Sequence, residues 1–494
     1  MRLKLLASGV GTVLLLFPIS LLLPFITGVV YGEPIVDISL AYLLPGVFAF
    51  LLGLLFTAYG GRADRVGADM RPVEALVVVS IVWVLIAVIG ALPFMVMNTL
   101  PNFVDAFFES MSGFTTTGSS VIVEIDGLPR SILLWRALTQ WLGGLGIIVL
   151  MVAIFSVLLG GPKAGMLLMK GEVPGYSSEK IVPRLKDTAK ILWAIYGIMT
   201  IIQIILLTLF GVSLYDAVCH TFTALSTGGY GTHTASIGYY KSYTWAPVIE
   251  MIFVVFMMLG SINFILHYNF LRGNWRTYFR DVEFRVYMFV LLSLWSIVAL
   301  DLAINNVYEP AEAVRASVFN VTSIYSTCGY ATEDFNQWPA LSRFIMIVAM
   351  LMGGMTGSTS GAIKTARFII AAKAVSRSLK RIGHPKSHLP LRVGYLVFSE
   401  SIVKGVGVFI FGYLGMFVVA SFIMTLVGLD SMSAISSVAT TMGGVGPGLN
   451  VIGPAANFSS INVPGKLILS FLMWFGRLEL ITGLVLFFPS TYKV

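Results

Sequence analysis

The sequence predicts an all-α polytopic membrane protein: four pseudo-repeated units around a common axis, preceded by two additional transmembrane helices. Three observations predict it. Hydrophobic residues make up 57% of the 494 positions and charged residues 11%, with a mean hydropathy of +0.88, whereas soluble domains carry about 25% charged residues. Apolar runs long enough to cross about 30 Å of hydrocarbon as helices recur from end to end. Four short, polar, Gly-rich segments interrupt that background at near-constant spacing. A chain of this kind could not cover its own surface in water, so a soluble enzyme or nucleic-acid binder is excluded.

Residues 1–72 hold the two extra spans, at about 6–29 and 36–59. Arg2 and Lys4 precede the first apolar run, which continues to Ile26. That run is too long for the apolar core of a secretory signal and no A-x-A site follows it, so it is expected to be a span. Unit 1 (73–160) then reads as a span at 73–98, a short apolar stretch opening at Asp105-Ala106, the segment TTTGSS at 115–120, and a span at 131–159. Unit 2 (161–280, including a basic connection) repeats the order with 188–212, Asp216-Ala217, STGGYGT at 226–232, and 244–271. In unit 3 (281–392) the parts are 284–304, Glu312-Ala313, STCGYAT at 326–332, and 341–376. In unit 4 (393–494) they are 395–428, Ser433-Ala434, TTMGGVG at 440–446, and 464–489. The glycines taken as central, Gly118, Gly229, Gly329 and Gly443, are 111, 100 and 114 residues apart. Each short stretch is too short to cross a bilayer and is expected to be a re-entrant half-helix. The acid or Ser at its start suits a helix N-terminus, where it caps N–H groups and complements the dipole.

Charge sets the orientation. Lys and Arg collect in four connections: Arg62, Arg65, Arg71; Lys163, Lys170, Lys180, Arg184, Lys186, Lys190; Arg272, Arg276, Arg280, Arg285; and Arg377, Lys380, Arg381, Lys386, Arg392. The other connections carry Glu124, Asp126, Glu309, Glu312, Glu333 and Asp334. The positive-inside rule puts the first set in the cytoplasm, the Gly-rich segments toward the outside, and both termini inside a multi-pass plasma (cytoplasmic) membrane protein. Two cysteines, Cys219 and Cys328, exclude a disulfide framework and a cysteine-based zinc site. His384 and His388 stand four apart, but with Pro385 between them in a basic loop no metal site is expected there.

Irregular backbone at membrane depth is tolerated only where it is buried in protein or lines a water-filled path. Four Gly-rich loops around an axis would turn carbonyl oxygens inward and replace the hydration shell of a cation, as the TVGYG loops of potassium channels do. The candidate ion-binding residues are Thr116, Thr117 and Gly118; Thr227, Gly228 and Gly229; Thr327, Cys328 and Gly329; and Thr441, Met442 and Gly443. Half-helix C-termini aimed at the path and acidic outer loops favour a monovalent cation. The alternative, that these are turns or G-x-x-x-G packing sites, accounts poorly for four copies at equal spacing, each behind a half-helix.

The four-unit plan carrying Gly118, Gly229, Gly329 and Gly443 resembles the Trk/Ktr/HKT superfamily of potassium uptake proteins over nearly the whole chain. The two additional N-terminal spans resemble its bacterial and archaeal Trk branch. The resemblance implies a pseudo-fourfold pore within one subunit, potassium (K+) as the transported ion, a homodimer, and a cytosolic nucleotide-binding regulatory ring. Ser119-Ser120 and Gly444-Val445 depart from the Tyr-containing pattern, so unequal quarters imply weaker selectivity than four identical ones. The basic 160–187 connection is either a docking surface for that partner or a topology signal facing anionic lipid.

The second span of unit 3 is too long for one crossing and is broken by GGMTGSTSG at 353–361. A phosphate loop requires Lys beside the Gly, whereas Lys364 is displaced and no strand precedes it. A small-residue kink is one reading. A loop crossing the path below the Gly-rich segments is the other, and it resembles the family's intramembrane gating loop, with Gly353, Gly354, Gly357, Ser358, Thr359, Gly361 and Lys364 as its residues. Arg477 falls within the last span, where a buried arginine requires a partner. Glu479 lies on a different face, and the loop's carbonyls and hydroxyls are at similar depth. Arg477 either holds the bundle together or, as the resemblance implies, gates it. Conduction without covalent chemistry is therefore expected, and no enzyme activity. The alternative is a potassium symporter coupled to H+ or Na+, which needs an occluded titratable group; the main candidate is Glu250, unless it lies at the outer interface.

Overall fold

The structure, a computed structural model, describes residues 2–61, 72–158, 185–384, 389–394 and 396–478. Arg62, Arg65, Arg71, Lys163, Lys170, Lys180, Arg184, Lys386, His388, Glu479 and the end of the last expected span lie outside the described residues.

Helices α1 (Leu3–Leu16) and α2 (Pro18–Val30) run on as one span. The joint falls at Pro18, whose missing N–H interrupts the hydrogen-bond ladder. A second helix, α3 (Ile35–Gly60), returns beside them, with a π-helical turn at Ser39–Leu43. Unit 1 comprises α4 (Pro72–Val96), the half-helix α5 (Phe103–Phe114) and α6 (Arg130–Leu158). Unit 2 comprises α7 (Leu185–Leu209), the half-helix α8 (Leu214–Leu225), and the pair α9 (Ala246–Ser261) and α10 (Phe264–Leu271). After a short helix, α11 (Arg276–Arg280), unit 3 follows with α12 (Val282–Ile304), the half-helix α13 (Pro310–Tyr325), α14 (Ala340–Leu351) and α15 (Thr365–Gly383). A hairpin of β1 (Leu391–Val393) and β2 (Leu396–Phe398) leads into unit 4, made of α16 (Glu400–Leu426), the half-helix α17 (Ser431–Gly443) and α18 (Val463–Arg477). Six of the described helices or continuous helix pairs are long and apolar enough to cross a membrane, seven if the bent pair α9–α10 counts as one span.

Two of the expected spans differ from the sequence expectation. The expected 244–271 span bends by 105° between α9 and α10. Asn263 starts the new helix by accepting the Ile265 N–H at 2.9 Å, and the backbone freed at the bend is taken up by unit 3, as described below. The expected 395–428 span begins instead at Glu400, because 396–398 pairs antiparallel with 391–393. The hairpin buries Leu391, Val393 and Phe398 against Ile369 and Ile370 of α15, with Val282 and Val286 of α12 packed on the cluster.

The acid or Ser expected to begin each half-helix stands in the first turn, at the third helical position in all four units: Asp105, Asp216, Glu312 and Ser433. Capping falls three residues earlier. Asn102 accepts the Val104 N–H at 2.8 Å, Ser213 the Asp216 N–H at 3.1 Å, and Asp430 the Met432 and Ser433 N–H groups at 3.1 Å each. In unit 3, Glu309 makes no side-chain cap and Pro310 opens the helix, where its missing N–H is no loss. That half-helix is 16 residues long against 12, 12 and 13 in the others, about one additional turn.

Candidate functional site

Each half-helix ends at a Gly-rich segment, and the four segments adopt one backbone plan. Thr116, Thr227 and Thr327 have left-handed φ values of 53°, 53° and 61°, and the glycines two residues on, Gly118, Gly229 and Gly329, have φ of 82°, 79° and 90°. Between them, the N–H groups of Thr117, Gly228 and Cys328 bond back to the carbonyls of Ser112, Thr223 and Ser323 at 2.9, 2.8 and 2.8 Å. In unit 4 the same bond runs from Val445 to Thr440 at 2.9 Å, and the left-handed residues are Gly444 and Gly446, with φ of 67° and 105°. The fourth segment is therefore Gly444-Val445-Gly446. Thr441, Met442 and Gly443, the residues expected there from sequence, form the last turn of α17. The cause of the offset is a run of three glycines within four residues, of which the first still continues the helix.

The segments close into a ring. A side-chain carbon placed on Gly118 would lie 2.0 Å from the Gly228 carbonyl oxygen, one on Gly229 2.0 Å from that of Cys328, and one on Gly329 1.8 Å from that of Val445. On Gly446 it would lie 3.1 Å from the Thr117 carbonyl oxygen. Each glycine thus abuts the carbonyl of the equivalent residue in the next unit, in the cyclic order 1, 2, 3, 4, 1. At the first three positions no L side chain fits without moving backbone. The outer mouth of the ring is a cavity lined by Gly118, Gly229, Gly329 and Gly446, together with Arg136 and His233. No group of three or more His, Cys, Asp or Glu side chains stands ready to hold a metal among the described residues.

Behind the ring lies a polar scaffold that the sequence reading did not single out. Gln140 of α6 donates to the Gly228 carbonyl at 2.8 Å and accepts the Tyr230 N–H at 3.0 Å. Arg136, also on α6, pairs with Glu109 of α5 at 2.9 Å, both side chains being buried. The same guanidinium donates to the Gly231 carbonyl at 3.0 Å and lies 4.2 Å from the Tyr230 ring centroid. Glu109 also accepts the Val121 N–H and the Ser120 hydroxyl, each at 3.0 Å. Tyr330 points into the wall, meeting Thr223 and His220 of α8. Where units 1 and 4 lack a tyrosine, the Ser119 hydroxyl donates to the Gly446 carbonyl at 3.0 Å. Ionisable residues inside apolar segments, Glu109 and Arg136 above all, were the available sequence signal. Glu250 has its own partner: Arg315 of α13 donates to its two oxygens at 2.6 and 2.7 Å.

The break in unit 3 is a folded loop lying beneath the ring. Its two arms bond each other, Gly353 N–H to the Ile363 carbonyl at 2.9 Å and Ile363 N–H to that of Leu351 at 3.2 Å. Its tip fills the bend of unit 2: the Met355 N–H donates to the Ser261 carbonyl at 2.8 Å, the Thr359 N–H to that of Gly260 at 3.1 Å, and the Phe264 N–H to the Gly357 carbonyl at 3.2 Å. The Gly361 N–H donates to the Thr327 hydroxyl at 2.8 Å, and the Thr359 and Thr227 hydroxyls stand 3.4 Å apart. A side-chain carbon on Gly361 would lie 2.1 Å from the Gly443 carbonyl oxygen. Gly354, Ser358, Thr359 and Ser360 are thus packed among units 2, 3 and 4, while Lys364 caps the loop's end by donating to the Ser360 carbonyl. Arg477 is buried and bridges the loop to unit 1, donating to the Thr359 carbonyl at 2.8 Å and the Gly143 carbonyl at 3.1 Å.

Comparison with known proteins agrees with this architecture. Residues 63–492 match the TrkH family, described as "Cation transport protein". The Trk system potassium uptake protein TrkH of Salmonella typhimurium is 35% identical over 98% of both chains, and TrkG of Escherichia coli is 30% identical over 97% of this chain and 96% of its own. The crystal structure of the potassium transporter TrkH from Vibrio parahaemolyticus superposes over 100% of both chains with a TM-score of 0.89 at 32% identity. With half-helices, a ring of Gly-rich segments and a broken span in one fold, and with these matches along its length, the chain belongs to the TrkH family of cation transport proteins.

Proposed function

We propose that the chain takes up potassium across the cytoplasmic membrane by conduction through the ring, which acts as a selectivity filter, and that the 353–361 loop and Arg477 gate it. The observation that carries this reading is the pairing of each ring glycine with the next unit's carbonyl, directly above a folded loop. Carbonyl groups from residues 116–118, 227–229, 327–329 and 444–446 can replace the water around a monovalent cation without a charged ligand. The Glu250–Arg315 ion pair ties up the carboxylate that the sequence offers for coupling. The family resemblance adds a second copy of the chain as partner and a cytosolic nucleotide-binding ring on the basic face, where Arg276, Arg280, Lys373, Lys380 and Arg381 are exposed.

The test is flux through proteoliposomes. At an effective dielectric of about 20, a unit charge roughly 6 Å from an ion contributes about 3 kcal/mol of repulsion, equivalent to about 100-fold in rate. Arg477→Ala is therefore expected to raise potassium flux per folded protein, as is partial deletion of the 353–361 loop. The double variant should be less than additive, because both changes remove one barrier. A fall in flux for Arg477→Ala with normal folding would overturn the gate. Flux that requires a pH or Na+ gradient would overturn conduction in favour of symport.

A further inference from the structure

Glu283 is 1% exposed, one residue into α12. One of its oxygens, Oε1, accepts three hydrogen bonds: the Thr356 N–H at 2.8 Å, the Thr356 hydroxyl at 3.1 Å and the Ala366 N–H at 3.0 Å. Thr356 belongs to the tip of the loop and Ala366 to the first turn of α15, so this single atom joins the loop tip to the helix that follows the break. The other oxygen, Oε2, has no hydrogen-bond partner among the described residues, and no Lys, Arg or His pairs with the carboxylate among them. A buried carboxylate without a cation is costly to keep for stability alone. The base of α12 is itself held. Asp281 caps it by accepting the Phe284 N–H at 2.7 Å, and Val282 and Val286 pack on the β1–β2 hairpin cluster.

We propose that Glu283 is the positioning residue of the loop, fastening it to the base of α12 so that the loop lies under the ring. The other attachments of the loop reach it from units 2 and 4 and from the ring itself. Glu283 attaches the loop to the helix that opens unit 3, and it holds the loop tip and the start of α15 through one atom. Opening the loop must release Oε1 from the two Thr356 donors or carry the base of α12 along. This inference rests on the reading of the loop as the gate.

The experiment uses the full-length chain in proteoliposomes and compares Glu283→Ala, Glu283→Gln and a partial loop deletion. Each is scored for potassium flux per folded protein, and Ser358→Cys is introduced separately into the first two and into the wild type to report thiol labelling of the loop. The amide of Gln can present its carbonyl oxygen to the same three donors, so Glu283→Gln should behave as wild type in flux and labelling. Glu283→Ala leaves one buried donor on Ala366 and two half-buried donors on Thr356 without their acceptor, and both flux and the labelling rate should rise about tenfold or more. Should Ala fail to fold, Glu283→Asp, which draws the oxygen back by one methylene, takes its place with a smaller rise expected. Labelling that is unchanged in Ala or Asp overturns the proposal, and so does a Gln variant as loose as Ala. If the loop deletion raises flux and Glu283→Ala does not, the gate stands and this inference falls. If the deletion leaves flux unchanged, the gate reading falls, and the labelling rates alone decide whether Glu283 positions the loop.

Discussion

At the scale of single residues, the ring depends on the absence of a side chain. A β-carbon on Gly329 would stand 1.8 Å from the Val445 carbonyl oxygen, and φ of 90° there is strained for any L residue. Gly329→Ala is expected to push the third and fourth segments apart and lower potassium-over-sodium permeability by about tenfold, equivalent to about 1.4 kcal/mol. Gly446→Ala, with 3.1 Å of clearance and φ of 105°, should lower it by less. Bi-ionic reversal potentials or paired ion fluxes measure both, and unchanged ratios in both variants would remove these glycines from the filter. Gly118, Gly229 and Gly329 were legible in the sequence. The fourth position was not read correctly, although a count was available: Asp105 to Gly118, Asp216 to Gly229 and Ser433 to Gly446 are each 13 residues, whereas Ser433 to Gly443 is 10. Three glycines in four residues hide where a helix stops, because glycine tolerates both the last helical turn and the left-handed turn after it.

At the scale of elements, the half-helices were legible from length and composition, and their caps only in part. Asp430 holds the start of α17 through two N–H bonds and receives the Asn450 side chain at 3.0 Å. Asp430→Ala should cost about 1 kcal/mol, read as a lower Tm in detergent with flux per folded protein retained. The outer loops of units 1 and 2 are stapled by His233, whose Nδ1 lies 3.0 Å from Asp126 and Nε2 3.7 Å from Asp216, with the ring stacked at 3.5 Å on Tyr239. Partial burial alone would lower the His233 pKa, but hydrogen bonds and charge from Asp216 and Asp126 outweigh it and hold it above the usual 6.5. A raised imidazole pKa means that the ionic staple is fully present below about pH 6.5 and is lost as pH climbs through the raised value. The Tm gap between wild type and His233→Gln should therefore be widest near pH 6 and narrow as pH rises through the raised value. Solvent screening limits the staple to about 1 kcal/mol. A gap that is constant with pH would sink the staple. None of this could be read from Asp126, Asp216 and His233 in sequence, since up to 107 residues separate the partners.

For the whole molecule, the charge map and the fold make one orientation consistent. The ring opens on the side of the acidic loops, and Arg280, Lys380 and Arg381 are exposed at the other end. Single cysteines in place of the exposed Val123 and Arg280 should react with an impermeant thiol reagent from outside and from inside respectively. Cys219 and Cys328 are buried and contribute little background. The reverse pattern would overturn the orientation. Contacts between units also decide how the quarters hold together. Lys466 of unit 4 reaches Asp105 of unit 1 at 2.6 Å, Arg315 of unit 3 reaches Glu250 of unit 2, and Asn336 of unit 3 accepts the Asn450 N–H of unit 4 at 2.8 Å.

The sequence by itself determined the membrane class, most of the described spans, the fourfold repetition, three of the four ring segments and the break in unit 3. All of these are local properties: the hydropathy of a stretch, the length needed to cross hydrocarbon, and the conformational freedom of glycine. The tertiary structure alone decided which carbonyl each glycine faces, the bend of 105° in unit 2, the bridge from Arg477 to Thr359 and Gly143, and the hold of Glu283 on the loop tip and the start of α15. Each of these joins groups far apart in the chain. A backbone left irregular in one unit has its hydrogen bonds completed by another, as Gly260 and Ser261 do for Thr359 and Met355. In hydrocarbon every such group must find a partner, but which partner it finds depends on how the four units close around the axis.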